Sequence, residues 1–85
     1  MAPVKIYTTP ICPYCVRAKA LLKKKGASFE DIDVLMDADA RKEMDAKSHG
    51  ARTVPQIFIG ETHVGGFDEL HALDKAGKLD GLLAG

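Results

Sequence analysis

Cys12-Pro13-Tyr14-Cys15 holds the only two cysteines among the chain's 85 residues, and the rest of the sequence is read outward from it. A thiol attacks as the thiolate, so a reactive cysteine needs surroundings that favour its charged form. Pro13 suits the first position of a helix, because its missing N–H would find no intrahelical partner there. Cys12 then falls at the helix N-terminus, facing unpaired N–H groups and the positive end of the dipole. Cys15 follows about one turn later. The two sulfurs can therefore meet, and a disulfide between them can open and close with little movement. Arg17 and Lys19 add positive charge nearby. On these grounds Cys12 is the nucleophile and Cys15 the resolving thiol.

Three plainer readings compete. A single CxxC could be half of a zinc site, but a structural zinc needs four ligands. There is no second CxxC, and His49, His63 and His71 are not in a tight ligand spacing, so no metal is expected. A permanent structural disulfide gains little from closing so short a loop. Two inert buried cysteines are the third option. A strand before the pair and a helix start at it favour redox work over all three.

Outward from the pair, Val4 to Thr8 reads as a strand, and Thr9-Pro10-Ile11 as the turn that delivers Cys12. Helical spacing runs from Pro13 to about Lys25, with Cys15, Ala18 and Leu22 on one face and Gly26 as the stop. Lys23-Lys24-Lys25 is a solvated helix end that complements the dipole. Phe29, Ile32 and Val34 suggest a second strand, parallel to the first through a right-handed crossover. Asp37 is an N-cap for a helix to about Ser48, closed by His49 and Gly50. Its apolar face, Ala40 and Met44, is thin, so loose packing is expected. Gln56 to Ile59 and Thr62 to Val64 form a hairpin about Gly60-Glu61. Asp68 can cap a last helix carrying Leu70, Leu73 and Ala76, ended by Gly77. Leu79, Leu82 and Leu83 make a short terminal turn over the sheet. The order is βαβαββα: an α/β fold with a mixed four-stranded sheet and helices on both faces, forming one domain over residues 1–85.

Composition narrows the function. Twelve basic and twelve acidic residues cancel, which argues against a general nucleic-acid binder. No apolar run approaches the roughly 20 residues of a membrane span. Met1-Ala2-Pro3-Val4 enters strand-like sequence at once, so no secretory signal is visible. Two cysteines in that setting suit the reducing cytoplasm. A monomer is expected at this size.

Two segments could give the thiolate a preference among disulfides. In Thr53-Val54-Pro55 the proline pushes Val54 into extended backbone. A cis Val54–Pro55 bond would let Val54 turn its N–H and C=O outward to an added strand. An ordinary trans proline at a strand start is the alternative, and it is commoner. In Gly65-Gly66-Phe67-Asp68 the glycines permit close approach of a ligand, and the helix N-terminus offers N–H groups to a carboxylate. A plain glycine turn with an N-cap explains the same residues.

Taken together, Cys-Pro-Tyr-Cys, a Thr-Val-Pro about forty residues on, and Gly-Gly-x-Asp after a hairpin resemble the glutaredoxin family. Gly50-Ala51-Arg52-Thr53-Val54-Pro55 and Ile57-Phe58-Ile59-Gly60 fit the same family, and the likeness covers nearly the whole chain. It is strongest to small bacterial dithiol glutaredoxins of the glutaredoxin 3 type. The resemblance implies a thioredoxin-like fold with a cis Val54–Pro55 bond. It also implies glutathione as co-substrate with no tightly bound cofactor, and disulfide-containing or glutathionylated proteins as partners. Matched by position, Tyr14, Thr53, Val54, Pro55, Gly66, Phe67 and Asp68 would line the glutathione site. Val54 would pair with the cysteinyl backbone, and Phe67 N–H and Asp68 would hold the γ-glutamyl end.

The chain departs from the family pattern twice. A lysine common three residues before the first cysteine is Thr9 here, so the glycine carboxylate is assigned to Arg52 or Lys42. A cysteine frequent after the double glycine is Phe67, so there is no third thiol. Two other functions stand beside the enzyme. One is a glutathione-ligated [2Fe–2S] carrier, which Pro13 disfavours by stiffening the loop. The other is a thioredoxin-like reductant served by a reductase, which Tyr14 and Gly-Gly-Phe-Asp disfavour.

Overall fold

The structure, a computed structural model, describes residues 2–51 and 53–85. In chain order the elements are β1 (Val4–Thr8), α1 (Pro13–Lys24), β2 (Glu30–Asp33), α2 (Ala38–Lys47), β3 (Gln56–Ile59), β4 (Thr62–Gly65), α3 (Phe67–Lys75) and α4 (Leu79–Ala84). The sheet order is β2-β1-β3-β4. β1 runs parallel to β2 and antiparallel to β3, and β4 returns antiparallel to β3. The mixed four-stranded sheet is the one expected. The fourth helix is not: Leu79 and Leu83 are buried on a six-residue helix where a terminal turn was expected.

Two side-chain clusters sandwich the sheet, because successive strand residues face opposite ways. Val4 and Ile6 of β1 and Ile57 and Ile59 of β3 pack with Ala18 and Leu22 of α1, Leu70 of α3, and Leu79 and Leu83 of α4. Tyr7 and Phe58 point to the other face and meet Ala40 and Met44 of α2 with Val34. The thin face of α2 does not leave it loose: Met44 is fully buried, and the Tyr7 and Phe58 rings meet edge to face at 5.7 Å. A methionine fills an irregular gap that a short apolar stripe leaves open.

The helix ends obey local chemistry. Asp37 Oδ1 accepts from the N–H groups of Asp39 and Ala40 at the start of α2. At the end of α1, Gly26 has φ +72°. Its N–H donates to the Lys23 carbonyl and that of Ala27 to the Leu22 carbonyl, the paired closure that a left-handed residue permits. Among the described residues no helix is long and apolar enough to cross a membrane.

This order brings three chain segments to one end of the sheet. They are the loop between β1 and α1, the approach to β3, and the junction of β4 with α3.

Candidate active site

Cys12 is the N-cap of α1, in extended backbone at φ −103° and ψ 109°, and Pro13 opens the helix after it. The Cys12 sulfur accepts the Cys15 N–H at 3.1 Å. It lies 3.7 Å from the carbonyl oxygen of Val54, the thiol donating. Cys12 is half-buried and Cys15 fully buried, and both are free thiols. The Cys15 thiol is pushed up to about 12, first by burial and next by its hydrogen bond to Cys12, while the Thr9 backbone and Lys19 pull the other way. Near neutrality Cys15 therefore stays S–H behind the more accessible sulfur.

The positive charge expected beside Cys12 is engaged elsewhere. Lys19 Nζ pairs with Asp31 at 2.9 Å, and the Thr8 hydroxyl donates to the same carboxylate. The Arg17 guanidinium lies 5.7 Å from the centre of the Tyr14 ring. Lys42 is exposed on α2 and does not line the cleft next to the cysteines. Arg52, the other carboxylate partner named from sequence, lies outside the described residues.

That cleft, of about 370 Å³, is lined by Tyr14, Thr53, Val54, Pro55, Gly66, Phe67, Asp68 and Glu69. A cleft of similar size, about 390 Å³, lies at the opposite end of the sheet around Pro3, Gly60 and Glu61, away from both thiols. The seven residues that the resemblance assigned to a ligand site thus share one hollow. The Val54–Pro55 bond is cis. The Tyr14 and Phe67 rings face each other at 6.4 Å, and Phe67 stacks on His71 at 5.6 Å.

Asp68 does not cap α3. The N-cap is Gly66, and Glu69 folds back so that its carboxylate accepts the Gly66 N–H at 2.8 Å. Asp68 is left exposed, its carboxylate with no hydrogen bond or ion pair to another described residue. Glu69 is the lining residue that sequence reasoning missed. Its signal was a glutamate three residues after Gly66, the spacing at which a side chain reaches back to the cap backbone. Gly65 has φ +111°, and a Cβ there would stand 2.8 Å from Glu69 Oε1.

The arrangement is that of an accessible sulfur held against a backbone carbonyl, a second thiol behind it, and an open groove with an exposed carboxylate beside it. The family model described as Glutaredoxin matches residues 4–64. A protein named Glutaredoxin from Pseudomonas aeruginosa is 58% identical over 84 residues, spanning 99% of each chain. Glutaredoxin 3 of Escherichia coli is 55% identical over 83 residues, 98% of this chain and 99% of that one. Among solved structures, a buckwheat glutaredoxin–glutathione complex superposes with a TM-score of 0.85 at 34% identity, covering 98% of this chain and 77% of that one.

Proposed function

The chain belongs to the glutaredoxin family and is a thiol–disulfide oxidoreductase, and on that basis we propose that it takes its electrons from glutathione, with Cys12 as attacking thiol and Cys15 as resolving thiol. The observation that carries this reading is the asymmetry of the pair. The Cys12 sulfur is half-accessible, accepts a helix N-terminal N–H and sits 3.7 Å from a carbonyl of the cleft wall; Cys15 is fully buried.

With a glutathionylated protein, the Cys12 thiolate attacks the glutathione sulfur of the mixed disulfide. The S–S bond breaks, and the protein sulfur leaves as a thiolate and takes up a proton. Cys12 now carries glutathione. A second glutathione thiolate attacks the glutathione sulfur of that bond, releasing oxidised glutathione and restoring Cys12. With a protein disulfide, Cys12 forms a mixed disulfide with the target, and the departing target thiolate can accept the proton of Cys15. Cys15 then attacks the Cys12 sulfur, and the reduced target leaves. Two glutathiones reopen the Cys12–Cys15 bond. Burial that holds Cys15 protonated keeps it from competing as the first nucleophile.

Cleft chemistry supports glutathione as the ligand. Val54 offers backbone of the kind an extended peptide pairs with, and helix N–H groups at Phe67 and Asp68 suit a carboxylate. The exposed Asp68 carboxylate, without a side-chain partner among the described residues, suits the ligand's amine. Exposed Ile11, Tyr14 and Val16 around Cys12 suit protein partners. Both cysteines and the entire cleft come from one chain, so a monomer suffices. A glutathione-fed reaction requires a compartment rich in reduced glutathione, which makes the cytoplasm its place of action.

The test is a pair of variants assayed on a glutathionylated peptide and on a protein disulfide, with glutathione as reductant. Cys12→Ser is expected to lose both activities. Cys15→Ser is expected to keep deglutathionylation and lose protein-disulfide reduction. Activity of Cys12→Ser on the glutathionylated peptide would overturn the assignment.

A further inference from the structure

Gln56 opens β3 directly after the cis-proline, and its side chain is nearly fully buried at 3% exposure. A buried amide has two donors and a carbonyl to satisfy, and leaving them unmade is costly. Gln56 Nε2 donates to the Thr53 carbonyl at 2.9 Å and to the Thr53 hydroxyl at 3.2 Å. Its Oε1 stands 2.7 Å from Nε2 of His63 on β4. The Thr53 carbonyl can only accept, so the NH₂ group must face it; Oε1 is then turned to His63, whose Nε2 must carry the ring proton to donate to it. The His63 ring is in turn held flat on Phe58, with ring centres 4.7 Å apart and planes 18° from parallel.

Thr53 is exposed and lines the cleft beside Cys12; the next residue supplies the carbonyl that the Cys12 thiol meets. The Thr53–Val54 segment is thus a surface stretch tied from beneath by a buried amide. We propose that Gln56 is a positioning residue for the reaction: it fixes Thr53 and Val54 for glutathione, and His63 anchors the far end of its amide at Oε1. Gln56 touches neither thiol and lines no part of the cleft, so its action passes through Thr53. The inference rests on the reading of this cleft as the glutathione site.

Gln56→Leu keeps the approximate volume and removes all three contacts, and His63→Ala removes the one at Oε1 from an exposed position. With a glutathionylated peptide as substrate, Gln56→Leu is expected to raise KM by about 3- to 10-fold, the worth of one hydrogen bond, and His63→Ala by a smaller factor. kcat and the rate at which iodoacetamide labels Cys12 should stay within about 2-fold in both. His63→Gln, which keeps an N–H donor, should recover part of the loss. A purely structural Gln56 would lower Tm and leave KM where it was, and that result overturns the proposal; so does a fall in kcat with KM unchanged. Should Gln56→Leu not fold, the His63 pair carries the same test. A wild-type protein without activity on the peptide would sink the glutathione reading, whereas an active wild type with indifferent variants would sink only the tether.

Discussion

At the residue scale, the two cysteines differ by where one helical turn puts them. Cys12 stands outside the first turn and Cys15 inside the core, and burial, with the hydrogen bond from Cys15 to Cys12, separates their chemistry. Much of this is legible in Cys-Pro-Tyr-Cys, since proline at the second position dictates which cysteine caps. What the motif does not reveal is the charge around it. Lys19 looks like a neighbour of Cys12 in sequence, but Asp31 on the adjacent strand captures it. The raised pKa of Cys15 has a consequence for stability. Its ordinary value is 9.0, and in the folded chain it is about 12. Between those values the native state holds a proton that the unfolded state releases, so stability is complete below pH 9 and is withdrawn as pH climbs toward 12. Urea unfolding of the reduced protein across that window should therefore show a steeper alkaline loss than Cys15→Ser shows. Tyr7, also raised by burial, adds loss of the same sign to both proteins, so the difference between them isolates Cys15. Parallel slopes would contradict the buried thiol.

At the scale of elements, the strands and the first two helices announce themselves through alternation, Pro13, Gly26 and Asp37, and their bounds fall close to those read from sequence. The last third is harder. Asp68 is the better cap by residue type, but Gly66 takes that place because Glu69 can reach back to its N–H. α4 escaped notice because Gly81 interrupts so short a segment; its burial of Leu79 and Leu83 is a tertiary effect that local pattern does not carry. The glycine pair before α3 also divides its work. Gly65 needs positive φ and crowds Glu69, whereas Gly66, at φ −92°, would place a Cβ 3.4 Å from the same oxygen. Gly65→Ala should cost about 1–3 kcal/mol by denaturant unfolding, because relief by turning Glu69 away frees the Gly66 N–H. Gly66→Ala should cost clearly less. The reverse order would mean that the β4–α3 junction is not held as described.

At the scale of the whole molecule, two cores of unequal size fix three segments at one end of a mixed sheet, and the cleft is what those segments leave between them. Recognising the order of elements was enough to predict that end. It was not enough to predict Gln56, a polar residue at the head of an otherwise apolar strand, whose partner His63 becomes a neighbour only when β4 folds back on β3. The account as a whole comes down to which sulfur is attacked and which half of a mixed disulfide the protein keeps. The direct measurement is the intact mass of the Cys15→Ser protein after mixing with one equivalent of glutathionylated peptide, followed by peptide mapping. A single glutathionyl group on Cys12, removed by added glutathione, is the predicted result. A peptide adduct on Cys12 in its place, or no adduct at all, would contradict it.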